Sequence, residues 1–212
     1  MVDTLNRANK IPFFVVKEFI SPLVCERIIN DLRVHKTRPN IGQNGLPKKM
    51  VLMNKLNSTR LAQTFESYIP SLEKHFNFEY RGTHDIYFEW FPENSKAETP
   101  KSDGYAKTKT GWTRYREVDF VGILWLNDYN DEPPFDPSFE AYGGKLEFPT
   151  FDISFTPERG TLVVFPSAPN FVYTVSDVTF GSSVQSKFTI RSEVPYNFDR
   201  EFFDCNPRNW NL

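Results

Sequence analysis

The residues of this 212-residue chain best suited to chemistry are three histidines, two cysteines and a scatter of carboxylates and lysines. His35, His75 and His84 all lie in the first part of the chain, and no histidine follows residue 84. His84 and Asp85 are adjacent rather than spaced by one residue, which favours a structural or exposed histidine over half of a ligand pair. Cys25 and Cys205 form neither a disulfide framework nor a metal-knuckle spacing, and neither has a histidine beside it in sequence. Asp103 and Glu147 are carboxylates that a fold could bring together for acid–base work. The chain has no glycine-rich phosphate loop, serine nucleophile elbow or Cys–His arrangement.

The elements that must position these residues fall into two groups. Residues 12–16 (PFFVV) read as a first strand. Ser21 and Pro22 then open a helix, with Ser as N-cap and Pro at the first helical position. Val24, Ile28, Ile29 and Leu32 recur at helical spacing and give one buried stripe. Residues 37–50 are loop by composition. A second helix starts near Asn57 or Ser58, and Pro70 ends or kinks it. From residue 86 the pattern changes to short strands at 86–91, 120–126, 145–148, 161–165, 171–178 and 187–191. Helices followed by strands predict an α+β fold, with the helices on one face of a closed or sandwiched sheet.

Composition bounds the class. The length suits a single domain. Aromatic residues make up 16% of the chain, with 21 Phe, which favours sheet. A net charge of −2 gives no global field for nucleic acid or anionic membrane, so neither is expected as a partner. There is no apolar run of membrane-spanning length, and residues 1–10 are polar, unlike a secretory signal. The expectation is a soluble, non-secreted protein in a reducing compartment.

Six segments, in order, resemble the prolyl 4-hydroxylase type of 2-oxoglutarate/iron oxygenase. VKEFISPLVCERIINDL at 16–32 resembles that family's first strand and supporting helix. FVGILWLND at 120–128 resembles its Tyr-Leu-Asn strand. GGKLEFP at 143–149 resembles its Gly-Gly-Glu-x-x-Phe-Pro turn, and PERGTLVVFPS at 157–167 its Pro-x-x-Gly-x-x-x-x-Phe strand. VSDVTFG at 175–181 resembles the segment after the distal histidine, and KFTIR at 187–191 the closing strand. The resemblance spans nearly the whole chain. It implies a double-stranded β-helix (jelly roll) over residues 1–192, with the N-terminal helices packed on one sheet and an aromatic tail at 193–212.

The family's chemistry needs a His-x-Asp and a distal His on iron, plus a Lys or Arg for the far carboxylate of 2-oxoglutarate. Carried over residue by residue, His-x-Asp falls on Lys101-Ser102-Asp103 or, in a second register, on Thr113-Arg114-Tyr115. The distal histidine falls on Tyr173, and the co-substrate cation on Lys187 or Arg191. A protonated lysine has no lone pair, so Lys101 is expected to pair with Asp103 instead. Tyr173 is expected to fill space inside the barrel. The resemblance therefore implies a pseudoenzyme with no catalytic residue, metal or cofactor.

Two long segments and the tail are the candidates for partner contact. Segment 92–118 is basic through Lys101, Lys107, Lys109, Arg114 and Arg116. Segment 127–142 is acidic, with Asp128, Asp131, Glu132, Asp136 and Glu140 and no positive residue. They either pair with each other or face neighbouring subunits. Tyr196, Phe198, Phe202, Phe203 and Trp210 either anchor a partner or fold back over a sheet edge. The leading expectation is a structural or interaction subunit of a larger protein assembly. By analogy with relatives of this family in tailed phages, that assembly is a virion (neck, tail or baseplate) or sits in the host cytoplasm. An active hydroxylase with an atypical metal site and a metal-free small-molecule binder remain as alternatives.

Overall fold

The computed structural model describes residues 10–35, 47, 49–132, 136–198 and 203–210. Strand β1 (Phe14–Val16) leads to helix α1 (Pro22–His35). Strand β2 (Met50–Leu52) precedes α2 (Lys55–Glu66) and α3 (Ile69–Phe76). Apart from two short 3-10 turns, the remaining regular elements are strands. They begin with β3 (Tyr80–Phe91), a hairpin of β4 (Tyr105–Thr108) and β5 (Gly111–Arg114), and β6 (Phe120–Trp125). There follow β7 (Asp128–Tyr129), β8 (Glu140–Gly143), β9 (Leu146–Phe148) and β10 (Ile153–Phe155). The last four are β11 (Leu162–Pro166), β12 (Thr174–Val175), β13 (Val178–Gly181) and β14 (Ser183–Ser192).

A six-stranded sheet in the order β1-β11-β6-β14-β3-β2 forms the wall of the molecule. A second sheet, β10-β9-β12, faces it. Period-two alternation gives the wall two buried faces. On β6, Phe120 and Leu124 join the helical core of Cys25, Ile28, Ile29, Leu32, Leu61, Phe65, Leu72 and Phe76. Val121, Ile123 and Trp125 point the other way, into an aromatic core with Phe148, Phe155, Phe165 and Tyr173. Phe148 meets Phe165 edge to face at 4.8 Å, which joins the two sheets. This is the expected α+β jelly roll with its helices on one sheet.

The first helix begins as expected. The Ser21 hydroxyl accepts from the Val24 amide at 3.4 Å. Its buried stripe is Cys25, Ile28, Ile29 and Leu32, whereas Val24 is exposed. Helix α2 starts before Asn57, because the side chain of Asn54 accepts from the Asn57 amide and supplies the N-cap. Pro70 opens α3 rather than ending a helix, since a missing N–H costs nothing in the first turn. Of the expected loop at 37–50, residues 37–46 and 48 lie outside the described residues, and Met50 begins β2.

Four expectations about strands need correction. The strand expected at 86–91 begins at Tyr80. The strand expected at 171–178 is broken into a 3-10 turn (Pro169–Phe171), β12 and β13. The chain turns at Ser176 and Asp177, where the Asp177 carboxylate accepts from Ala97 and Lys96. Strand β14 begins at Ser183, not Lys187, because its inward side chains are polar and mask the strand pattern. Segment 92–118 is not structureless, since it carries the β4–β5 hairpin. The Gly143-Gly144 pair meets a real steric demand. Both have positive φ, and a Cβ would strike the Asp177 carbonyl at one and the Ser183 side chain at the other.

Candidate functional site

Strands β14 and β3 lie side by side, with Lys187 opposite Tyr87 and Gln185 opposite Glu89. Their neighbours Phe188, Val184, Phe88 and Trp90 belong to the helical core. Alternation therefore turns Lys187, Gln185, Tyr87 and Glu89 to the other face of the wall. Lys187 is 1% exposed.

The facing sheet is extended beside β12 by a two-bond bridge. The Lys101 amide donates to the Tyr173 carbonyl at 3.0 Å, and the Tyr173 amide to the Lys101 carbonyl at 2.9 Å. This bridge brings Asp103 to Lys187. The Lys187 ammonium donates to Asp103 Oδ1 at 2.6 Å. The Tyr173 hydroxyl donates to Asp103 Oδ2, also at 2.6 Å. Lys187 lies 5.3 Å from the Tyr173 ring centroid and 5.9 Å from that of Tyr87, within cation–π range.

A second layer of charge adjoins this one. Lys49 pairs with Glu89 at 2.9 Å and with Glu98 at 3.0 Å. Gln185 Nε2 donates to the other oxygen of Glu89 at 2.7 Å. Lys101 pairs with Glu98 at 2.7 Å. Three ammonium groups (Lys49, Lys101, Lys187) thus meet three carboxylates (Glu89, Glu98, Asp103), and the cluster is electrically balanced. Burial raises the pKa of the Asp103 carboxyl, but the Lys187 charge and the hydrogen bonds from Lys187 and Tyr173 outweigh it and hold Asp103 below its ordinary value. Glu89 follows the same logic, with burial opposed by Lys187 and Lys49. Glu98 is held at about 2, its partial burial outweighed by Lys101 and Lys49. Burial and the Asp103 charge push the Tyr173 phenol well above the usual tyrosine range, so it stays protonated. The cavity left beside Glu89, Lys101 and Tyr173 measures about 10 Å³, room for roughly one water.

The structure brings Asp103, Tyr173 and Lys187 together, with Tyr173 buried at 2% exposure. It corrects the expected partner of Lys101, whose ammonium binds Glu98 while Lys187 takes Asp103. Of the two cation candidates, Lys187 is the one that meets Asp103. Arg191 lies four residues along the strand and pairs with Glu117 at 3.3 Å. The second register, Thr113-Arg114-Tyr115, falls on and just after the exposed hairpin, and Arg114 there pairs with Asp119. Glu147 does not join Asp103, whose oxygens are engaged by Lys187 and Tyr173.

The acidic segment and the basic one do not pair with each other among the described residues. Asp128 is tied to Arg159, accepting from its backbone amide at 2.8 Å and its guanidinium at 2.7 Å, so it is not free for a partner. Asp131 and Glu132 are exposed. Most tail residues are also committed internally. Tyr196 packs 4.5 Å from Phe120, Phe198 stacks with Phe203, and Trp210 meets Phe13 at 5.4 Å. The tail folds back, as one of the two expectations had it, and Phe202 lies outside the described residues.

Sequence reasoning missed Lys49, Tyr87, Glu89, Glu98 and Gln185. Glu89 carried a signal, since an acid inside the apolar run IYFEWF must either break the strand or face a polar interior. Lys49 carried none, because its role depends on β2 lying beside β3.

No protein-family model matches this sequence, and neither does any curated protein. Solved structures do match by shape. A viral collagen prolyl hydroxylase from Paramecium bursaria Chlorella virus-1, in complex with 2-oxoglutarate, superposes with a TM-score of 0.61 at 12% identity. That match covers 84% of this chain and 95% of the other. A Pseudomonas putida prolyl-4-hydroxylase gives 0.60 at 14% identity, over 87% and 94%. HygX from Streptomyces hygroscopicus, with nickel, 2-oxoglutarate and hygromycin B bound, gives 0.54 at 9% identity, over 90% and 88%. The chain has the jelly-roll fold of the prolyl 4-hydroxylase-type 2-oxoglutarate oxygenases.

Proposed function

We propose that this chain performs no oxygenase reaction and serves as a structural or interaction subunit built on that fold. The observation that carries the reading is the direct contact of Lys187 and Tyr173 with both oxygens of Asp103. The residues at these positions do not fit an iron ion. Lys101 offers an ammonium already paired with Glu98, Tyr173 a protonated phenol, and Asp103 a carboxylate with both oxygens engaged. Nor do they fit 2-oxoglutarate. The cation that would meet its far carboxylate is spent on Asp103, and about 10 Å³ is far below the several hundred Å³ of ordinary ligand pockets. A metal-free binder would need that ion pair to open, and an active hydroxylase would need other ligands.

The reading is tested by incubating the purified protein with ferrous iron and 2-oxoglutarate. The expected result is no retained iron by elemental analysis, no 2-oxoglutarate turnover and no binding heat. Stoichiometric iron that is lost in Asp103→Asn would refute it. The assembly proposed is a phage virion, at its neck, tail or baseplate, and family resemblance alone supports that choice. Isolation of intact particles carrying the chain as a fixed-copy component, with its native mass, is the corresponding test.

A further inference from the structure

The β4–β5 hairpin forms a two-stranded sheet of its own, outside the six-stranded sheet and the two three-stranded sheets, β10-β9-β12 and β13-β8-β7. Its register sets Tyr105 opposite Arg114 and Lys107 opposite Trp112, so these four side chains share one face. The other face carries Ala106, Thr108, Gly111 and Thr113, all small. Residues 106–113 are exposed throughout, as are Tyr115 and Arg116. No acidic residue lies between Gly104 and Arg116. Arg114 is spent on Asp119, but Lys107, Lys109 and Arg116 make no ion pair among the described residues. A two-stranded hairpin with one face of cations and aromatic rings, unsupported by a core, is built for a surface outside this molecule.

The same chain carries a complementary surface. Asp131, Glu132 and Asp136 are exposed and make no ion pair among the described residues, and segment 127–142 has no positive residue to offset them. We infer that the hairpin of one copy docks on the acidic segment of a second copy, through Lys107, Lys109 and Arg116 against Asp131, Glu132 and Asp136. Trp112, on the same face as Lys107, supplies the apolar contact that exposed charge pairs alone lack. Two different patches meet in such a contact. Met once per neighbour, the contact is heterologous and closes as a ring or continues as a filament; met twice about a two-fold axis, it forms an isologous dimer.

This inference rests on reading the chain as a subunit, but not on its lack of catalysis. Analytical ultracentrifugation tests it, at about 20 mM and about 300 mM salt, on either side of the roughly 10 Å screening length at 0.1 M. The full chain should sediment as an oligomer at low salt and shift toward monomer at high salt. A Lys107→Glu/Lys109→Glu variant and an Asp131→Lys/Glu132→Lys variant should each be monomeric, with unchanged circular dichroism. An equimolar mixture of the two should recover the oligomer, because each reversed patch then finds an opposite one. Monomeric wild type at low salt, or a mixture that stays monomeric, would overturn the inference. So would binding of a single-stranded oligothymidylate that depends on Lys107 and Lys109 without self-association, which would assign the hairpin to nucleic acid. A chain that remains monomeric yet enters an assembly of other proteins would leave the subunit reading intact.

Discussion

Lys187 Nζ lies 2.6 Å from Asp103 Oδ1, although 84 residues separate them in the chain. Both residues are almost fully buried, and the pair ties β14 of the large sheet to the chain bridged to Tyr173 beside β12. Two charges out of water need each other. Their mutual attraction offsets desolvation only while both are present.

Lys187→Met should therefore cost about 3–5 kcal/mol in urea denaturation, the usual cost of leaving one buried partner uncompensated. The double variant Lys187→Met/Asp103→Asn should be less destabilised than the sum of its parts, by about 1 kcal/mol or more. Strict additivity of the two changes would mean that the residues do not touch in solution.

Tyr173 has two separable roles, filling space and donating to Asp103. Tyr173→Phe removes only the donor and should cost about 1.5–3 kcal/mol, as hydrogen bonds to charged groups do. Tyr173→Ala also empties the space beside Phe148 and Phe165 and should cost about 3 kcal/mol or more. Losses within about 0.5 kcal/mol for both, typical of surface positions, would place the side chain outside the barrel.

His75 gives stability a pH dependence. Its ring lies against Phe14, Phe76 and Phe203, and Nε2–H donates to the Ile11 carbonyl. Burial lowers its pKa from 6.5 to about 4. Between those values the unfolded chain binds more protons than the folded one, so stability falls on acidification through that window. The loss should be about 2 kcal/mol, allowing for the partial exposure of the ring. It should vanish in His75→Phe. Below about pH 4 a further loss is expected as Asp103, Glu89 and Glu98, whose folded pKa values are lowered, take up protons. Denaturation midpoints measured across pH 3–7, taken as roughly the span of these groups, would show either two phases or none.

Truncation before Tyr196 should destabilise the domain rather than leave it intact. It would strip cover from Phe76, Phe120 and Phe13, which are otherwise buried. Trp210→Ala alone should cost about 3 kcal/mol by thermal unfolding, as large aromatic truncations do. An unchanged midpoint for both would return the tail to the role of a free anchor.

The fold class was legible in the sequence because its signals are local. Ser21-Pro22 caps a helix, Cys25 to Leu32 repeats at helical spacing, and short apolar runs separated by turn residues mark strands. The Gly143-Gly144 turn was read from the family resemblance, and the structure supplied its steric reason. The absence of histidine after residue 84 needed only counting. Other features were hidden because they depend on strands distant in sequence. Which cation meets Asp103 was decided by the bridge between Lys101 and Tyr173, which places Asp103 over β14. The start of β14 was obscured because Ser183, Gln185 and Lys187 are polar yet buried. Lys49 reached Glu89 only when β2 paired with β3. The aromatic tail could equally have been an anchor or a cover until Phe76, Phe120 and Phe13 offered it apolar surface. Periodicity and capping act over a few residues and can be read along the chain. Charge pairing and burial act across space, and the tertiary structure alone determines which groups share it.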